Sequence, residues 1–322
     1  MTPGYAPTVR RDQIQWGNPR LDAGESAFFM RELEYIKSVT YDVKYKPLKA
    51  LLLFPTSTEA NTGATQITWR QFSLVGNAKI VADYGNDFPK ADTYAVENPY
   101  KIKSIGMGYG YTIQEIRESM FSGKRLDQRR AAAARRAIDQ LINQICLIGS
   151  ADDGIFGLIN FPGIGSYSVP ADGTGSSALW SAKTGDQINR DITGMINAVF
   201  NATNGVEYPD TLLLPVKQYT YAATTRMTQF TDRTILEFLL MSSPFIKTVD
   251  WLPNELSGAG ALGSDRMMIM ARDDMHMSLE IPQPFEQFDP QQHGLEFDVP
   301  CHARTAGLLI YYPQSVAYGD GI

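Results

Sequence analysis

The sequence predicts an α+β protein, and three observations carry that prediction. Residues 66–84 read as β-rich arms that alternate at a period of two. Lys124–Ile148 reads as one long helix whose apolar residues step by four and three. Residues 186–264 then alternate helix and strand patterns, and the chain returns to β-rich stretches from Arg266 onward. At 322 residues, one large or two interleaved domains are expected.

Composition narrows the classes. Apolar residues at 43% and charged residues at 20% suit a packed globular chain and exclude wholesale disorder. A formal net charge of −6 excludes a surface given over to nucleic acid, so any such contact must be local. The 16 tyrosines suit surfaces that become buried against a partner. Two cysteines, Cys146 and Cys301, are too few for a disulfide framework and fit a reducing cytoplasm. No run of about 18 apolar residues is present, so no membrane span is expected. The opening "MTPGYAPTVRRDQIQWGNP" lacks an apolar segment and a cleavage pattern, so no secretory leader is expected.

Taken in order, residues 1–24 carry Pro, Gly and polar groups without a period, and read as a tail or arm that needs a partner surface. Phe28, Phe29, Leu33 and Ile36 suggest a short amphipathic helix, passing into a strand where Val39, Tyr41, Val43 and Tyr45 alternate. In "QITWRQFSLVGNAKIVADYG", Gly76-Asn77 is a two-residue hairpin signal between β-rich arms. Ile67 and Trp69 are in step, but Phe72 and Leu74 are out of step with them, which predicts a bulge near Arg70–Gln71. Neither face is strongly apolar, so the hairpin is expected to reach out and lie on something.

A strand, glycines and a helix follow over "PYKIKSIGMGYGYTIQEIRESMFSG". Along the next helix, at about 100° per residue, Ala134, Ile138, Leu141, Ile145 and Ile148 form one seam opposite Arg125, Arg129 and Arg136. Roughly seven turns, about 40 Å, are expected, with Gly149 as the stop. "DDGIFGLINFPGI" reads as a turn-rich connection and residues 165–185 as a Gly/Ser-rich surface loop. Helices are expected at "DQINRDITGMINAVFNA", "VKQYTYAATTRM" and "TILEFLLMSS", and strands at "DTLLLP" and "FIKTVDWL". Strands resume at "RMMIMARD", "MHMSLEIP", "LEFDVPCHARTAGLLIYYP" and "SVAYGDGI"; the methionines read as core filling.

Catalytic and cofactor motifs give little. "IGMGYGYT" places Gly106, Gly108 and Gly110 between strand and helix, without the third fingerprint glycine or a downstream acid. A Gly-relieved strand end explains it. His276, His293, His302 and Cys301 match no zinc spacing, so no metal is expected. A hydrolase would have to use one of those histidines, and no G-x-S-x-G elbow is present. The doublets Asp152-Asp153 and Asp273-Asp274 suit turns or helix caps. No enzyme activity and no cofactor are expected. Arg125, Arg129 and Arg136 admit two readings: contact with phosphate, or solvation and pairing with acids of a neighbouring copy. The second is favoured, because interleaved base-reading residues and named recognition motifs are lacking.

Three segments in order resemble one known family: "VGNAKIVADYGNDFPKADTY" (75–94), "YGYTIQEIRESMFSGKRLDQRRAAAARRAIDQLINQICLIGSADDGIFGLINFPGI" (109–164) and "LEFDVPCHARTAGLLIYYPQSVAYGDGI" (295–322). Together they resemble tailed-bacteriophage major capsid proteins of the Hong Kong 97-like fold, a group long catalogued as a domain of unknown function. The resemblance implies an N-terminal arm (1–46), an extended loop (66–93), a discontinuous peripheral domain (47–65, 94–164 and 266–322, with its spine helix at 124–148) and an α/β axial domain (165–265). It implies self-assembly through pentamers and hexamers into an icosahedral shell around double-stranded DNA, in a virion assembled in the host cytoplasm. Portal, scaffolding and decoration proteins are the implied partners, with non-specific DNA contact and no membrane.

Within that resemblance Trp69, Arg70, Lys79, Phe88 and Lys90 are candidate assembly contacts, and Arg125, Arg129 and Arg136 are candidate DNA or inter-subunit contacts. A long N-terminal scaffolding segment of the kind some relatives carry is not expected, and the resemblance then implies a separate scaffolding protein or completed processing. Some relatives cross-link a lysine to an asparagine; Lys79 and Lys90 lie in the loop, but no partner asparagine is identifiable, so non-covalent locking or decoration is expected. An encapsulin-type nanocompartment enclosing cargo enzymes is the alternative.

Overall fold

The computed structural model describes residues 43–80, 88–123 and 126–322, with the backbone alone at Leu126 and Asp127. The chain divides into two units, 1–45 and 46–322. Of the first, Val43–Tyr45 are described; they are exposed and carry no strand, unlike the sequence expectation. The tail, the helix expected around Phe28–Ile36 and the start of that strand lie outside the described residues.

In the second unit, α1 (Ala50–Leu53) and β1 (Thr56–Ser57) precede β2 (Gln66–Val75), β3 (Asp92–Lys101) and β4 (Lys103–Thr112). Next come α2 (Ile113–Ser122), α3 (Leu126–Leu147), β5 (Gly149–Ser150), β6 (Ile155–Phe156) and β7 (Gly165–Ser168). The middle of the chain forms α4 (Gly185–Ala202), β8 (Thr211–Pro215), α5 (Val216–Thr224), α6 (Ile235–Ser242) and β9 (Thr248–Leu252). Seven strands finish it: β10 (Arg266–Met270), β11 (Met277–Glu280), β12 (Gln283–Gln287), β13 (Gln291–His293), β14 (Glu296–Thr305), β15 (Gly307–Ile310) and β16 (Val316–Asp320).

The five-stranded sheet β7-β16-β10-β8-β9 is the wall between two cores. Side chains alternate across a strand, and here each face has its own core. Met268 and Met270 of β10 enter the core built around α3, while Met267 and Ile269 enter the core built around α4. On β8, Leu213 goes one way and Leu212 and Leu214 the other; on β16, Tyr318 and Ala317 divide likewise. Burial on both faces explains the unbroken apolar runs "TLLLP" and "RMMIM". β10 and β16, which follow residue 265, thus share a sheet with β8 and β9 of the α/β segment. The segment 165–185 is not all loop: β7 runs parallel to β16 at the sheet edge.

α4 lays Ile188, Ile192, Met195 and Val199 on this sheet, starting from a Thr184–Gln187 capping box. Its close approach needs Gly319, where a Cβ would lie 2.7 Å from the Met195 sulfur.

α3 packs on β4, β14 and β15, and its 22 residues span about 33 Å. Lys124 and Arg125 lie outside the described residues. Ala134, Ile138, Ile142, Ile145 and Cys146 are its buried face, whereas Leu141 and Ile148 are 41% and 43% exposed. The expected seam is therefore turned toward Ile142: at about 100° per residue Leu141 sits a quarter-turn from Ile142, off the flat surface the helix meets. Gly149, at φ 86°, ends the helix as expected, and a Cβ there would lie 2.5 Å from the Ile155 carbonyl oxygen. The amides of Leu158 and Ile159 donate to the carbonyls of Cys146 and Leu147, satisfying the last turn.

The hairpin is larger than its local turn signal implied. β2 pairs with β3 through ten antiparallel pairs, from Gln66↔Lys101 to Val75↔Asp92. Gly76-Asn77 is therefore no two-residue turn, and residues 76–91 connect the strands; of the second arm expected at 78–84, residues 78–80 carry no strand and 81–84 lie outside the described residues. The pairs are continuous through Arg70↔Glu97 and Gln71↔Val96, so the expected bulge is absent.

Candidate assembly interface

Directly opposed residues in an antiparallel pair share a face, which sorts the β2–β3 ribbon into two sides. One side carries Ile67/Tyr100, Trp69/Asn98, Gln71/Val96, Ser73/Tyr94 and Val75/Asp92. The other carries Thr68/Pro99, Arg70/Glu97, Phe72/Ala95 and Leu74/Thr93. At the root, Ile67, Trp69 and Tyr100 pack on a small core of Ile102, Ala306 and Leu309 with Tyr311. Trp69 meets the Tyr311 ring edge-on at 5.4 Å between centroids, and Tyr100 stacks on Phe161 at 6.4 Å. Arg304 fastens the preceding loop, donating to the Thr62 and Ala64 carbonyls.

Beyond the root no described residue covers the ribbon. Arg70 to Val75 and Asp92 to Glu97 are all exposed. Arg70 Nε donates to Glu97 Oε1 at 2.8 Å, and with both side chains more than half exposed that pair contributes little.

The structure thus separates the expected contact residues. Trp69 is anchored in its own subunit, and Arg70 is paired along the ribbon. Lys79, Phe88 and Lys90 are exposed in the connection beyond the ribbon. Phe72 and Leu74, 66% and 83% exposed, were not among the sequence candidates; their out-of-step alternation was the available signal.

The arginines of α3 do not act as one face. Arg125 lies outside the described residues, and Arg129 is exposed. Arg136 is half-buried, with Nη2 donating to the Lys46 carbonyl at 3.3 Å, and Arg135 lies over the Phe285 ring. Arg130 pairs with Glu115. Beside them, Lys49 Nζ pairs with Asp250 at 2.8 Å and lies over Trp251, which holds the residue before α1 against β9.

Cys146 and Cys301 are buried and burial pushes both thiols up, away from the nucleophilic form. His276 lies between Asp273 and Glu207, with Nδ1 and Nε2 each 2.5 Å from a carboxylate oxygen on opposite ring edges. That arrangement points both acids at the ring rather than at a common metal, and no metal-holding group of three occurs among the described residues. Gly106, Gly108 and Gly110 lie within β4, opposite His302, Pro300 and Asp298, and form no phosphate-binding turn.

A family described as major capsid protein matches residues 76–322. No curated protein matches the chain. Among solved structures, it is similar to the capsid of Myoviridae phage XM1, at 17% identity and TM-score 0.78 over 92% of this chain and 100% of that one. It is also similar to the capsid of an empty GTA particle (11% identity, TM-score 0.64, 93% and 99% covered) and to Mycobacterium phage Bobi (15% identity, TM-score 0.58, 89% and 94% covered). At these identities the likeness shows the fold, and it is the Hong Kong 97-like α+β capsid fold.

Proposed function

The chain belongs to the major capsid protein family, and from that premise we propose that it is the repeating subunit of the icosahedral head of a tailed bacteriophage, enclosing its double-stranded DNA. The observation that carries this reading is the ribbon: ten residue pairs whose outer half exposes apolar side chains that no described residue covers. A two-stranded ribbon is marginal alone in water. A closed shell of identical copies supplies the missing surface through repeated head-to-tail contacts.

In this reading α3 and the β4–β14 sheet are the peripheral domain, and α4–α6 over the five-stranded sheet are the axial domain around fivefold and sixfold axes. The ribbon is the extended loop, and residues 1–46 are the arm. Lys79, Phe88 and Lys90 serve contacts between copies, and Arg129 serves DNA or a neighbouring acid. Portal, scaffolding and decoration proteins complete the particle, which is assembled in the host cytoplasm. A nanocompartment shell has less support, because the family match and the alignment to a phage capsid at TM-score 0.78 both favour a virion. Purified particles decide between them: a nuclease-protected genome supports the virion, and a DNA-free shell around a folded enzyme supports the compartment.

A further inference from the structure

We infer that β16 is the coupling strand of the subunit: it completes the core around α3 and the core around α4 at once, so that the two halves open and close as one cooperative unit. The inference goes beyond the shell reading and does not depend on it.

Four observations lead to it. First, β16 is interior to the five-stranded sheet. It pairs antiparallel with β10, from Arg266↔Asp320 to Met270↔Val316, and parallel with β7, from Ala317↔Gly165 to Asp320↔Ser168. β7 stands at the sheet edge and joins the sheet through β16. Second, the side chains of β16 alternate between the cores. Val316 and Tyr318 enter the one around α3; Ala317 enters the one around α4, where Ile322 joins it just past the strand.

Third, each helix meets this strand in its own way. On the α3 side, Tyr318 Oη donates to the Leu158 carbonyl at 2.6 Å and accepts from the Phe161 amide at 3.2 Å. The Leu158 amide in turn donates to the Cys146 carbonyl in the last turn of α3. On the α4 side, Gly319 is the seat of the helix, where a Cβ would lie 2.7 Å from the Met195 sulfur. One step along β16 therefore passes from the tie of one helix to the seat of the other. Fourth, the end of the strand is clamped. Arg266 donates to both Asp320 carboxylate oxygens, at 2.6 and 3.0 Å, and to the Ile159 carbonyl at 2.8 Å. A strand held in this way cannot leave one core alone. Its withdrawal strands the backbone groups of β10 and β7 and opens a void on both faces of the sheet. Two cores that share that cost form a single opening unit.

The test is native-state hydrogen exchange on the full chain as wild type, Tyr318→Phe and Gly319→Ala, all in one assembly state. Exchange is read by mass spectrometry over the peptides of α3 and α4. Tyr318→Phe removes the tie on the α3 side, and Gly319→Ala crowds Met195 on the α4 side. Each variant is expected to speed exchange by about tenfold in both helices, the factor that about 1.4 kcal/mol represents. Faster exchange confined to α3 in Tyr318→Phe and to α4 in Gly319→Ala would overturn the inference. Should either variant fail to fold, the wild type decides alone. Across low denaturant, the slowest amides of α3 and α4 should converge on one opening free energy with one slope. Two distinct slopes, one for each helix, would overturn the inference and leave the shell reading intact.

Discussion

Arg130 grips Glu115 in a two-pronged ion pair, with Nη2 2.8 Å from Oε1 and Nη1 3.1 Å from Oε2, and its guanidinium also donates to the Gly110 carbonyl. One side chain thereby ties α3 to α2 and to β4. Glu115 meanwhile closes the capping box with Thr112 at the start of α2. The Arg130 hydrogen bonds, followed by that of the Thr112 backbone, lower the Glu115 carboxyl from 4.5 to about 2.

That shift fixes a pH dependence. A carboxyl whose folded pKa is depressed stabilises the fold fully above its unfolded value, and the contribution is lost as pH falls through the folded one. For Glu115 the window runs from 4.5 down to about 2. The Glu115→Gln variant keeps a cap acceptor but not the charge. Its unfolding free energy should be lower than wild type at neutral pH, and the gap should close across that window when followed by circular dichroism.

Ile138 and Leu141 both belong to the helical apolar pattern, but only Ile138 is buried, at 1% against 41% exposure. Ile138→Ala should cost about 2–5 kcal/mol in denaturant unfolding of the subunit. Leu141→Ala should cost less than about 1 kcal/mol, because the removed atoms already meet solvent.

Lys183 is wholly buried and pairs with Asp191 at 2.7 Å and with Asp172 at 3.0 Å. Removing one partner of a buried pair strands the other charge, so Lys183→Met should cost about 3–5 kcal/mol. The double variant Lys183→Met/Asp191→Leu should recover much of that loss. Thermal unfolding of the two variants against wild type checks the order.

His276 responds to pH in the opposite sense to Glu115. Burial alone would lower its pKa, but the hydrogen bonds that the ring donates to Asp273 and Glu207, with their charges, raise it above 6.5. A raised histidine stabilises the fold fully below 6.5, and that contribution is lost as pH rises through the folded value. His276→Gln should therefore be less stable than wild type at pH 6, with the difference shrinking toward alkaline pH. Two-dimensional NMR titration of the ring locates the folded pKa, which should lie above 6.5.

The sequence showed some of this directly and misled elsewhere for physical reasons. The four-residue steps from Ala134 to Ile138 and the stop at Gly149 depend on local backbone periodicity, which a sequence displays. Gly76-Asn77 is a local turn signal outweighed by a distant partner: β3 contains Asn98 and Pro99 and shows no clean alternation, so nothing nearby announced its pairing with β2. The methionine run identified β10 as buried, but not that Met267 and Met268 belong to different cores, because two-sided burial erases the alternation that would orient the strand. Phe72 and Leu74 were visible only as a disturbance of phase. Their explanation requires the register.

Electron microscopy of the overexpressed chain decides whether it builds a closed shell. Closed icosahedral particles are expected, formed alone or with scaffolding and other virion partners supplied. Only soluble monomers under every one of those conditions would contradict it.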